Sequence, residues 1–177
     1  GGPAHQQVVI EVFQGHAEGV DRGTGLLERS QANVNMVNAP VLAQEMGIRL
    51  IETKVRKPVD FASSISVRTR GAEVRLIEGA IFHGNQPRIV RVDDFMLEAI
   101  PEGPTLLLHN HDQAGVVGTV GSILGEAGIN ISRMQLGLVP ERKEAAMLVN
   151  VDSVPPESVL ERLRGVPHMI TAKLLEL

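Results

Sequence analysis

Residues 105–139, TLLLHNHDQAGVVGTVGSILGEAGINISRMQLGLV, change their period twice. Thr105 to His111 alternates as a strand, with Leu106 and Leu108 on one face. Gly115 to Ala127 reads as a helix, and Gly128 closes it. Ile131 to Val139 returns to strand character. The series then continues through a polar turn, Pro140-Glu141-Arg142-Lys143, into a second strand over Ala145 to Asp152. Val154-Pro155-Pro156-Glu157 ends that strand, a helix runs to about Arg164, and Ile170 to Leu177 forms the last strand. The order β-α-β-β-α-β predicts a ferredoxin-like α+β unit.

Upstream of it, Ile100-Pro101-Glu102-Gly103-Pro104 concentrates two prolines and a glycine and marks a boundary. Two domains are expected, 1–102 and 103–177. In the first, Gln7 to Gln14 alternates as a strand, and Leu26 to Gln31 reads as a helix entered through Gly23-Thr24-Gly25. Asn38-Ala39-Pro40 starts another helix that carries Val41, Leu42, Glu45 and Met46 and stops at Gly47. Strand-like runs follow over Arg49–Val55, Ser63–Arg70, Glu73–His83 and Arg88–Phe95, with turns at Gly71-Ala72 and Gly84-Asn85. Arg68, Arg70, Glu73, Arg75 and Glu78 alternate with apolar residues, which predicts a sheet with one wet face. The expected class is α+β: an α/β sandwich with a mostly antiparallel sheet, then the βαββαβ unit.

Composition narrows the function classes. The chain has 177 residues, 17 Lys+Arg, 21 Asp+Glu and no Cys. A net charge of −4 and only four aromatic residues, all Phe, argue against a nucleic-acid surface. The longest apolar run, Ala145–Val149, falls far short of the roughly 20 residues that span a membrane. The absence of Cys excludes thiolate metal sites and fits a reducing cytoplasm. No leader is expected from the opening residues, and the missing initiator Met reads as a piece of a longer chain.

Three constellations invite chemistry. His109-Asn110-His111-Asp112 places two His on one strand face, as a metal pair needs, but His5, His16, His83 and His168 are scattered without ligand spacing. No metal site is expected. Gly115, Gly118 and Gly121 stand where a dinucleotide fingerprint belongs, yet the first two are separated by two residues instead of one. Gly118, Gly121 (or Ser122) and Gly125 read better as a small stripe that lets the helix lie close to a sheet. The third constellation is positional. Asn110 and Asp112 flank a strand end, backbone amides of Ala114, Gly115 and Val116 open the helix, and Asn130 begins the next strand. A helix N-terminus attracts a carboxylate, Asp112 an ammonium, and an Asn amide serves either group. That set suits a free α-amino acid. The plainer alternative makes Asp112 an N-cap and the two Asn ordinary turn residues. No catalytic set is legible.

Residues 106–137, LLLHNHDQAGVVGTVGSILGEAGINISRMQLG, resemble the opening of an ACT domain, a small regulatory module of amino-acid metabolism. VNMVNAPVLAQEMGI (residues 34–48) and GNQPRIVRVDDFMLEAIPEG (residues 84–103) resemble the intervening domain of the long bacterial D-3-phosphoglycerate dehydrogenase family. The pairing in this order is more specific than either module alone. The resemblance implies a catalytic part that uses NAD and precedes these modules, and none of it is in this chain. It implies L-serine as the effector, held by Asn110, Asp112 and Asn130, and a homo-oligomer assembled through the ACT and intervening domains. It also implies a second anion site in the first domain, for which Arg88 and Arg91 are the candidates beside a plain role as solvated sheet arginines. The family's Asp-Arg-Pro-Gly is here Asp112-Gln113-Ala114-Gly115, a less rigid loop, and Asn110 stands where relatives carry His or Tyr. The expected function is a serine-sensing regulatory fragment, not itself an enzyme. The alternatives are an assembly module without effector and a metal hydrolase built on His109 and His111.

Overall fold

The computed structural model describes residues 7–13, 38, 41, 42, 45, 63–70, 75–82 and 86–177. The chain divides into two compact units, Gly1–Pro87 and Arg88–Leu177.

In the first unit, β1 (Gln7–Phe13), β2 (Ser63–Arg70) and β3 (Arg75–Phe82) pair antiparallel in chain order, with Val9 opposite Arg68 and Ser66 opposite Glu78. That register differs from the single wet face expected. Arg68 and Glu78 share their face with Ser64, Ser66 and Ala80, which are buried, whereas Arg75 lies on the other face with the exposed Ile77. Charge alternation fixes which residues share a face, but burial depends on what covers it. Leu42 N–H donates to Asn38 O at 3.0 Å, so Asn38 begins a helical turn as expected. The predicted helix over 26–31 and strand over 49–55 lie outside the described residues.

The second unit opens with a hairpin. β4 (Gln86–Val92) and β5 (Phe95–Ala99) pair antiparallel around Asp93 and Asp94, where one continuous strand over 88–95 was expected. Asp93 takes the left-handed conformation with φ 51°. Asp tolerates that region because its short side chain bonds locally, and a two-residue hairpin turn needs it.

Beyond the hairpin, β6 (Pro104–His111), α1 (Val116–Glu126), β7 (Ile131–Val139), β8 (Glu144–Val151), α2 (Glu157–Arg164) and β9 (Met169–Glu176) follow the predicted order. The strands form an antiparallel sheet ordered β7-β8-β6-β9, a ferredoxin-like α+β arrangement. Gly128, with φ 71°, turns the chain out of α1. Gly128 N–H bonds Gly125 O at 3.0 Å and Ile129 N–H bonds Leu124 O at 2.9 Å, the paired closure of a Schellman motif. α2 has Glu157 in its first turn and Arg162 and Arg164 in its last, the charge order that the helix dipole favours.

The helices cover one face of this sheet. Leu106, Leu108, Met147 and Val149 meet Val120, Leu124, Leu160 and Leu163 there, all buried. The opposite face lies under the β4–β5 hairpin, where Leu148 packs with Val92 and Ala99 and is flanked by Ile89, Leu97, Leu107 and Leu175. β8 is therefore buried on both faces from Ala145 to Val151. Each of its large side chains contributes about 1.5–3 kcal/mol by leaving water. Gly137 makes the hairpin's approach possible. A Cβ there would lie 2.6 Å from the Met96 carbonyl oxygen and 3.1 Å from Phe95 Cβ.

The glycine stripe of α1 is a correction. Gly118, Gly121 and Gly125 do not face the sheet; a Cβ on any of them would meet nothing within 4 Å. The packing face is Val116, Val120, Ile123 and Leu124, which recur at the same spacing and bury far more apolar surface. At the unit's entrance, Gly103 N–H donates to Leu177 O at 3.0 Å and Leu177 N–H to Gly103 O at 3.3 Å. Among the described residues no helix is long and apolar enough to cross a membrane.

Candidate functional site

The candidate site grows from the end of β6. Alternation along the strand turns Leu106, Leu108 and Asn110 toward the helices, and Asn110 is 3% exposed. Its Nδ2 donates to the His111 carbonyl at 2.7 Å, while its Oδ1 is buried without a partner. An unmet buried acceptor costs about 1–3 kcal/mol. The next two residues are pinned through the backbone: His111 N–H to His168 O at 2.9 Å and Asp112 N–H to Lys143 O at 2.8 Å. Lys143 and His168, which present those carbonyls, are both left-handed, with φ 52° and 70°. The loop is thus held from two sides.

α1 starts immediately beyond it. Gly115 occupies the N-cap with φ 94°, no side chain caps the helix, and no acidic residue lies in its first turn. Asp112 is exposed and does not cap, so the plainer alternative for it is not what forms. The first-turn amides and their dipole end lack a compensating anion from the chain. Val116 is buried in the core, and its N–H reaches the Gln113 carbonyl at 3.4 Å. Asn130 is exposed beyond the other end of α1. Its N–H bonds Asp152 Oδ1 at 3.1 Å and its carbonyl accepts from Asp152 N–H at 3.1 Å. An 11-residue helix is roughly 16 Å long, so one chain brings together Asn110, Asp112 and Gly115 but not Asn130.

His109 lies on the face under the hairpin, with Nε2 3.0 Å from Glu144 Oε2, and His111 is exposed. Among the described residues, no group of three or more His, Cys, Asp or Glu converges as a metal ion would need. Arg88 and Arg91 sit on the β4–β5 hairpin with separate partners. Arg88 Nε lies 3.6 Å from Glu98, and Arg91 donates to the Asp93 carbonyl at 2.7 Å and lies 3.8 Å from Asp94. An anion there would compete with carboxylates already in place.

Two polar clusters escaped the sequence. One joins Asp94, Arg142, Glu144 and His109 around Phe95. The other centres on the buried Asn150, whose Nδ2 reaches Ile100 O at 3.2 Å, Glu102 O at 3.0 Å and Thr105 Oγ1 at 2.9 Å. A strand Asn set in an otherwise apolar run, AAMLVNV, was the one available signal for the second.

Comparison with known proteins meets this geometry at both modules. A model described as the D-3-phosphoglycerate dehydrogenase intervening domain matches residues 23–93, and the ACT domain model matches residues 105–168. The chain belongs to the D-3-phosphoglycerate dehydrogenase family, as its intervening and ACT domains. Enzymes of that name are similar to it across most of its length. That of Methanocaldococcus jannaschii is 32% identical over 147 residues, covering 82% of this chain. That of Bacillus subtilis is 32% identical over 154 residues, covering 86%, and the chloroplastic enzyme 2 of Arabidopsis thaliana is 34% identical over 160, covering 80%. This chain covers 28%, 29% and 25% of those three relatives.

Proposed function

We propose that the ACT domain binds L-serine and that binding regulates an NAD-dependent phosphoglycerate dehydrogenase of which this chain is the non-catalytic, regulatory part. The single observation that carries the reading is the unpartnered buried acceptor of Asn110 beside an uncapped, carboxylate-free helix start. A zwitterion answers both: its carboxylate meets the amides opening at Gly115, and its ammonium or hydroxyl donates to Asn110 Oδ1. Asp112, exposed at the loop, takes the ammonium. Asn130 comes from a neighbouring chain, because it lies beyond the far end of α1. A two-fold axis that lays two α1 helices side by side in opposite directions supplies it and repeats the site. The domains on this reading are 1–102 and 103–177, in a homo-oligomer of the cytoplasm.

Calorimetric titration of L-serine tests it. Asp112→Ala leaves the ammonium unpaired in a half-dry site and weakens binding by about 1–3 kcal/mol, whereas His111→Ala changes it much less. A wild-type chain that takes up no serine, or an Asp112→Ala chain that binds as well, ends the assignment.

A further inference from the structure

The β7–β8 turn touches both the loop that carries Asp112 and the β4–β5 hairpin. Arg142 N–H bonds Val139 O at 3.1 Å and Lys143 N–H bonds Pro140 O at 3.1 Å, which ties the turn tightly. Its last two residues then reach in different directions. The Lys143 carbonyl holds Asp112 of the effector loop at 2.8 Å. The Arg142 side chain holds the β4–β5 hairpin: Nη1 is 2.9 Å from Asp94 Oδ2, and the guanidinium lies 5.6 Å from the centre of the Phe95 ring. Arg142 Nε is also 3.3 Å from Glu144 Oε2, the oxygen that His109 Nε2 meets at 3.0 Å, and the His109 ring stands edge-on to Phe95 at 5.1 Å.

Exposed ion pairs taken singly contribute little. Here they share atoms around Phe95, which is 3% exposed, so their geometry is fixed by packing. The hairpin has no slack against β7, because Gly137 leaves less than a methyl's room below Met96. A displacement of Asp112 therefore acts on Lys143, on the turn, and on Asp94 through a contiguous path.

We infer that Arg142 is the positioning residue that couples the effector loop to the β4–β5 hairpin, so that ligand binding at the loop is read out at Asp93–Asp94. The inference deepens the serine reading and rests on it for the identity of the ligand.

The test uses this chain, amide hydrogen exchange resolved by residue, and two arms. Without ligand, Asp94→Asn speeds exchange of the Asp112 amide about fivefold in the wild-type background and adds nothing in an Arg142→Gln background. With saturating L-serine, the Phe95–Leu97 amides slow about fivefold in wild type and do not slow in Arg142→Gln, although calorimetry gives that variant the wild-type serine affinity within about twofold. Leu148 exchange reports folding: a merely structural loss speeds it along with the rest, and coupling leaves it unchanged. An Asp112 amide indifferent to Asp94→Asn overturns the inference, as does a hairpin that answers serine equally with and without Arg142. If the wild-type chain binds no serine, the effector assignment fails by itself, and the ligand-free arm still decides the coupling.

Discussion

Gly137 is buried where no side chain has room. Gly137→Ala sets a methyl against a backbone oxygen that cannot swing away, so the hairpin must lift from the sheet. The expected cost is about 1–3 kcal/mol, read as a lowered denaturant midpoint at unchanged slope. Asn150 presents the complementary case. Its Nδ2 carries two hydrogens shared among three acceptors on the segment that enters β6, so Asn150→Leu leaves buried acceptors unmet at a cost of about 1–3 kcal/mol, measured in the same way. Asn150→Leu does not touch the loop that carries Asp112, and serine titration of that variant is expected to give near-wild-type affinity wherever the fold survives.

At the scale of elements, α1 is open on the side where its glycines lie. Nothing opposes a methyl at Gly121 or Gly125, and Ala is about 0.5–1 kcal/mol better than Gly inside a helix. Gly121→Ala and Gly125→Ala are expected to raise the thermal midpoint of the dilute chain. If two α1 helices meet across a two-fold axis, the same methyls weaken association, so sedimentation and melting at two concentrations move in opposite senses. This helix also marks the limit of what sequence reveals. Spacing of three to four put the glycines on one face correctly; it did not say which face is inside, and Val116, Val120, Ile123 and Leu124 decided that by burying more apolar area. The βαββαβ order was legible because the apolar period alternates between 2 and 3.6 and glycine ends α1. The β4–β5 hairpin was not, because Asp93-Asp94 lacks a glycine and alternation runs straight through it. Asn110, Asp112 and Gly115 were legible as one strand-to-helix turn. The Arg142 cluster was not, since its members stand 35 and 48 residues apart and only the fold brings them together.

For the whole molecule, the missing nucleotide-binding motif sets a plain expectation: the purified chain does not turn over 3-phosphoglycerate with NAD, and a spectrophotometric assay for reduced nicotinamide checks it. Self-association is the second. Among the described residues β7 and β9 are the edges of the four-stranded sheet, and an edge strand invites a partner. Leu136 and Leu138 on β7 stay exposed beside them. Sedimentation at micromolar concentration is expected to give a species heavier than the 19.1 kDa chain.

The mutual bonds between Gly103 and Leu177 have a practical side. They fix the last residue at the opposite end of β6 from His111, and eight strand residues span roughly 25 Å. A dye, tag or bead attached at Leu177 is thereby anchored to a rigid handle well away from the loop that carries Asp112. The chain can be tethered there and still offer that loop to solution, so the serine binding we propose can be tested on an immobilised chain.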